Sequence, residues 1–107
     1  NTPIHQDDMY LLGLILSTWK KEMPERPIEQ IDSYDQEKEV HLTSQNTRFI
    51  LTLYDGSVQI STLAQLIKWE LINISRQYYI DLRIPGRLYS CDRDKTECAQ
   101  NIVNIYQ

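Results

Sequence analysis

Glycine, histidine, cysteine and phenylalanine are all scarce in this chain of 107 residues, with three, two, two and one of each. Gly13, Gly56 and Gly86 stand far apart, so no phosphate-cradling glycine loop can be assembled from them. Four prolines and three glycines exclude collagen-like, low-complexity and disordered readings. Basic residues are outnumbered, 11 against 15 acids, for a net charge of −4, which argues against a general nucleic-acid binder. The longest apolar run, Met9 to Trp19, spans only 11 residues, well short of the roughly 20 a membrane helix needs. Nor is it a secretory signal: Asp7 and Asp8 occupy the place of its positive charge, and no small-residue cleavage site follows. Beginning at Asn1, the chain is expected to be a fragment, with any upstream signal or anchor outside it.

What remains is an ordinary globular composition, 41% hydrophobic and 24% charged, in a length that supports one core. Charge is uneven. Residues 1–40 carry nine acids and four bases, whereas 41–107 carry six and seven, which reads as an acidic, solvated early face.

Residues 6–22 read as a helix. Met9, Leu12, Leu16 and Trp19 recur at helical spacing, and Leu11, Leu14 and Ile15 widen the apolar face. Asp7 and Asp8 at one end and Lys20 and Lys21 at the other complement the helix dipole. Pro24 and Pro27 end it. Strands are then predicted over Ile28–Tyr34, Lys38–Thr43 and Arg48–Tyr54, with Val58 and Ile60 continuing the alternation. Asp55-Gly56 between alternating runs predicts a type I′ hairpin, with Leu53 facing Val58 and Leu51 facing Ile60. Pairing Val40 with Leu51 and Leu42 with Phe49 extends the same apolar face and leaves 44–47 as a loop. A helix over about 62–75 follows, opened by Thr62-x-x-Gln65 as a capping box.

Tyr79–Ile84 alternates again, Ile80, Leu82 and Ile84 on one face and Tyr79, Asp81 and Arg83 on the other. Pro85-Gly86 makes a turn, and Leu88–Ser90 returns as a short strand, with Leu88 opposite Ile84 across a three-residue loop. The tail, Ala99–Tyr106, is compatible with helix or strand. The predicted fold is α+β: an antiparallel sheet with helices packed mainly on one face, in a single domain spanning residues 1–107.

Cys91 and Cys98 lie close together in a polar stretch. That favours a disulfide, contributing about 2.5 kcal/mol by chain entropy, over two reduced thiols. A metal site would need four ligands, and no histidine lies nearby.

Chemistry is sparse. His5 and His41 are the only possible imidazole bases, and both read as surface residues. Asp32 with Glu37-x-Glu39 and Lys38 is the nearest thing to a metal-dependent nuclease set, although a solvated hairpin tip explains it better. Arg76, Arg83, Arg87, Arg93 and Lys95, interleaved with Tyr78, Tyr79 and Tyr89, could form a single-strand binding face, but Asp81, Asp92 and Asp94 offset the charge. Trp19 and Trp69 read as core. Asn73-Ile74-Ser75 matches a glycosylation sequon. A third function class is an accessory subunit that uses the Met9–Trp19 helix as its contact. The open flank of the last strands is the element of interest, because an unpaired edge either needs blunting or recruits a partner strand. No catalytic, metal-binding or cofactor-binding residues are expected.

The stretch Tyr79-Ile80-Asp81-Leu82-Arg83-Ile84-Pro85-Gly86-Arg87-Leu88 resembles the C-terminal region of the bacterial cell-division proteins FtsQ/DivIB, in which an I/V-D-L-R strand is followed by a short turn and a last strand. The preceding order is similar: a strand hairpin with an Asp-Gly turn, Phe49 to Val58, then the helix over 62–75, then the D-L-R strand, with a helix ahead of the sheet. The resemblance covers most of 6–90. It implies a non-enzymatic, extracytoplasmic scaffold domain of a single-pass membrane protein, preceded by a membrane helix and a POTRA domain. It also implies partners of the FtsB/FtsL kind, a partner strand added beside the last strand, and no small-molecule or nucleic-acid ligand. By position, the partner-binding residues would be Tyr79, Asp81, Arg83, Ile84, Arg87, Leu88 and Tyr89. An oxidising compartment agrees with pairing of Cys91 and Cys98.

Overall fold

The computed structural model describes residues 6–105, with side chains over 7–102. The elements are α1 (Gln6–Glu22), β1 (Gln30–Tyr34), β2 (Glu39–Ser44), β3 (Thr47–Thr52), α2 (Gly56–Lys68), a 3₁₀ turn (Ile74–Arg76), β4 (Gln77–Asp81), β5 (Tyr89–Asp92) and α3 (Cys98–Ile105). They make the expected α+β fold. The five strands lie side by side in sequence order, β1 to β5. Every neighbouring pair is antiparallel except β3–β4, which is parallel and joined through α2.

Helix α1 takes the predicted span because its apolar residues and terminal charges agree. Ile15 and Trp19 are buried on its inner side, followed by Met23. The Trp19 ring meets Phe49 edge-on at 4.9 Å, and its indole N–H donates to the Arg26 carbonyl at 2.6 Å, fastening the chain that leaves the helix. Val40 pairs with Leu51 and Leu42 with Phe49, as the alternation predicts. All four are buried under the helices, with Ile60, Leu63 and Ile80 completing the core. Positive φ at Gln45 and Asn46 (51° and 68°) makes the β2–β3 connection a tight two-residue turn of the type I′ kind.

The Asp55-Gly56 step is not a hairpin; it opens α2. Ile60 is buried whereas Val58 is 66% exposed, so the period-2 pairing of these two residues with β3 does not form. Burial instead falls on Gly56, Ile60 and Leu63, a helical spacing. Gly56 is there for close approach, since a Cβ would fall 2.5 Å from Ile15 Cδ1. Thr62-x-x-Gln65 is interior, and the Thr62 hydroxyl donates to the Val58 carbonyl. The helix starts and stops earlier than predicted. Its end is a Schellman motif: Glu70 takes φ 57°, its N–H donates to the Ile67 carbonyl, and Leu71 N–H donates to that of Leu66.

Strand β4 ends at Asp81 and β5 starts at Tyr89, opposite it, so Leu88 does not pair with Ile84. The connection 82–88 keeps the expected turn: Arg87 N–H donates to the Ile84 carbonyl around Pro85 and Gly86, whose φ of 74° suits a type II turn. Cys91 and Cys98 form a disulfide with Cα atoms 5.7 Å apart, tying β5 to the start of α3. The tail is therefore helical through Ile105; Tyr106 and His5 lie outside the described residues. Among the described residues no helix is long and apolar enough to cross a membrane.

Candidate functional site

β5 is the last strand of the sheet, and among the described residues no strand lies beyond it. Its Tyr89 and Ser90 are exposed. α3 does not extend the sheet; it lies against β4, where the Asn101 amide donates to the Tyr79 hydroxyl at 3.4 Å. Beside the edge, a groove of about 490 Å³ opens between α2 and the 82–88 connection, lined by Val58, Thr62, Leu66, Leu82, Ile84 and Leu88 among others.

The seven residues assigned to partner contact divide here. Ile84, Arg87 and Tyr89 are exposed, with the Arg87 guanidinium donating to the Tyr89 hydroxyl at 3.1 Å. Tyr79 and Leu88 are half-buried. Asp81 and Arg83 are not outward-facing contacts. Asp81 is 8% exposed, and its carboxylate accepts from the Arg83 backbone N–H at 3.0 Å, Nε at 2.9 Å and Nη2 at 2.6 Å. The other arm of Arg83 donates to both Glu39 oxygens, at 3.0 and 3.3 Å. This clamp ties the start of the 82–88 connection across β4 and β3 to β2, and the two carboxylates hold the guanidinium cationic.

Behind the clamp lies His41, fully buried, against the expectation of a surface histidine. The Arg48 guanidinium sits 3.2 Å from Nδ1. Arginine can only donate, so Nδ1 accepts and the ring is neutral. The Tyr34 ring packs at 4.6 Å. Burial, then the charges of Arg48 and Arg83, push the His41 pKa down to about 4. An unfolded histidine takes its proton near pH 6.5. Between those values the unfolded chain binds the proton and the folded one does not, so stability falls as pH drops from 6.5 towards 4. The loss should reach roughly 3 kcal/mol. Urea unfolding at pH 7 and pH 4.5 checks this: a His41→Asn variant should show a shallower drop than the parent chain.

The nuclease-like set is not gathered. Glu39 belongs to the Arg83 clamp, Lys38 reaches Asp8 at 2.8 Å, and Asp32 accepts from Gln30. Among the described residues no three His, Cys, Asp or Glu side chains are placed to share an ion. The arginines of the last third are engaged too. Arg93 donates to the carbonyls of Ser75, Asn46 and Gln45 and to the Thr47 hydroxyl, and Arg76 faces Asp92 and Asp94. Trp69 is 63% exposed, not core. Sequence reasoning missed His41; the signal was its place between Val40 and Leu42 in a strand flanked on both sides. No protein-family model matches the chain, and no curated protein matches it.

Proposed function

We propose that the chain is a non-enzymatic protein-binding domain that receives an extended segment of a partner along β5. The observation that carries this reading is the position of β5, terminal in the sheet with Tyr89 and Ser90 exposed. Main-chain pairing along such an edge supplies affinity, and flanking pockets supply selectivity. Ile84 and the groove beside it are suited to an apolar side chain of the incoming segment, while Arg87 and Tyr89 offer polar contacts. The disulfide supports an oxidising, extracytoplasmic setting. The helix ahead of the sheet, the helix α2 that leads towards β4 and the Asp81-Leu82-Arg83 stretch support an FtsQ/DivIB-like scaffold in a membrane-anchored cell-division protein, with FtsB- and FtsL-like partners. In this reading Asp81 and Arg83 shape the contact from inside, and the contact itself falls to Ile84, Arg87, Leu88 and Tyr89.

The test is amide hydrogen exchange followed by NMR, with and without the extracytoplasmic segments of the FtsB- and FtsL-like proteins of the same organism. Slowed exchange at Tyr89 to Cys91 on mixing is the expected result. Binding that leaves those amides unchanged, or no binding, would overturn the reading.

A further inference from the structure

The outward side of α1 is charged at its two ends, but over Met9–Leu14 it exposes apolar side chains where a solvated helix face is ordinarily polar. Its exposed residues fall within an arc of about 160° at 3.6 residues per turn. Tyr10 is 73% exposed, Met9 60% and Leu14 40%, and Gly13 and Ser17 lie bare between them. We infer that this face is a self-association surface, on which a second copy of the chain docks with its α1 antiparallel, about a twofold axis through Gly13 and Leu14. The inference goes beyond the strand-addition reading and does not rest on it.

Charge selects a second copy. Asp7 stands at one end of the face and Lys20 and Lys21 at the other. Antiparallel pairing about that axis places Asp7 of each copy opposite Lys20 of the other, whereas parallel pairing would set like against like. The same operation places Tyr10 opposite Ser17. On the same half of the helix as Ser17, Thr18 and Lys21 line, with Leu14, Val58, Ser61 and Thr62 among others, a groove of about 490 Å³ between α1 and α2. A projecting tyrosine and a groove, displaced in opposite directions from the axis, form a self-complementary patch, which is what a twofold contact requires. Gly13 fits the same geometry. A Cβ there would meet nothing within 4 Å, so the chain's own packing does not call for a glycine, and glycine disfavours a helix interior. A bare backbone at the centre of the face lets another helix approach closely.

Sedimentation equilibrium over a concentration series tests this. The chain should show a reversible monomer–dimer equilibrium that weakens with added salt. Tyr10→Ala and Gly13→Glu should each weaken it at least about tenfold with the circular dichroism spectrum unchanged. Lys20→Glu with Lys21→Glu should make the chain monomeric, and adding Asp7→Lys should restore the dimer. A chain that stays monomeric up to about 1 mM, a dimer indifferent to Tyr10 and Gly13, or failure of the charge swap to restore association overturns the proposal. Since Cys91 and Cys98 are bridged, a Gly13→Cys chain has a single free thiol. Under mild oxidation it should cross-link to itself much faster than a Glu25→Cys chain, and equal rates would overturn the proposal independently of stability.

Discussion

Replacing Arg83 by methionine is expected to destabilise the fold by about 3–4 kcal/mol, because it strands two carboxylates. Asp81 and Glu39 lie on either side of the guanidinium, with side chains only 12% and 13% exposed. Without the cation they remain as two poorly solvated negative groups, and the aliphatic stem of methionine satisfies neither. The cost therefore exceeds that of a surface ion pair, ordinarily below about 1 kcal/mol. Arg83→Lys should recover only part of the loss, since an ammonium cannot reproduce the guanidinium's four hydrogen bonds to two carboxylates and fixed fork geometry is what the site uses. Urea denaturation of the three chains at pH 7 is the check. A methionine variant within about 0.5 kcal/mol of the parent would mean that the clamp is an ornament of the surface. The expectation also bears on the proposed partner binding: a charge reversal at Arg83 would perturb the scaffold, so Arg87 and Tyr89 are the positions at which to probe the proposed contact.

Trp19→Ala should cost about 4 kcal/mol. The indole is 2% exposed, fills the junction between α1 and the sheet against Phe49, and satisfies the Arg26 carbonyl. Removing it leaves a cavity and an unpaired acceptor together. Trp19→Phe separates the two: it keeps most of the packing and should cost about 1–2 kcal/mol for the lost hydrogen bond. Trp69→Ala is the matched control. At 63% exposure it should stay within about 0.5 kcal/mol of the parent. Thermal unfolding of the three variants gives the ranking, and an equal effect at both tryptophans would contradict the packing described.

The sequence was most legible where local and long-range preferences agree. In α1, apolar spacing and terminal charges specify the same helix. In β2 and β3, alternation alone specifies Val40 with Leu51 and Leu42 with Phe49, because a one-residue slip would carry the whole set away from the face that the helices cover. Legibility failed where a short motif has two physical uses. Asp-Gly suits a tight hairpin, but Gly56 is demanded by Ile15, a residue 41 positions earlier in the chain, which no local pattern reveals. The turn with positive φ was written in Gln45-Asn46, a less conspicuous pair. At the candidate site, Asp81 and Arg83 were readable as alternating polar residues on one face. Their partner Glu39 lies on a strand two places away in the sheet, so their burial was not readable. The same holds for His41, whose neighbours Arg48 and Tyr34 arrive from separate strands.

The parallel pairing of β3 with β4 has a consequence for how the chain folds. β1, β2 and β3 are joined by short connections and can zip together from local contacts, which are the fast ones to form. The flank of β3 then stays open until 24 further residues, 53–76, have emerged and α2 has folded back to deliver β4. During that interval Phe49, Ile50 and Leu51, all fully buried at the end, stand at an unprotected margin. Aggregation during synthesis or refolding should therefore originate at β3, and substitutions that slow α2 should lower the yield of folded protein more than its final stability.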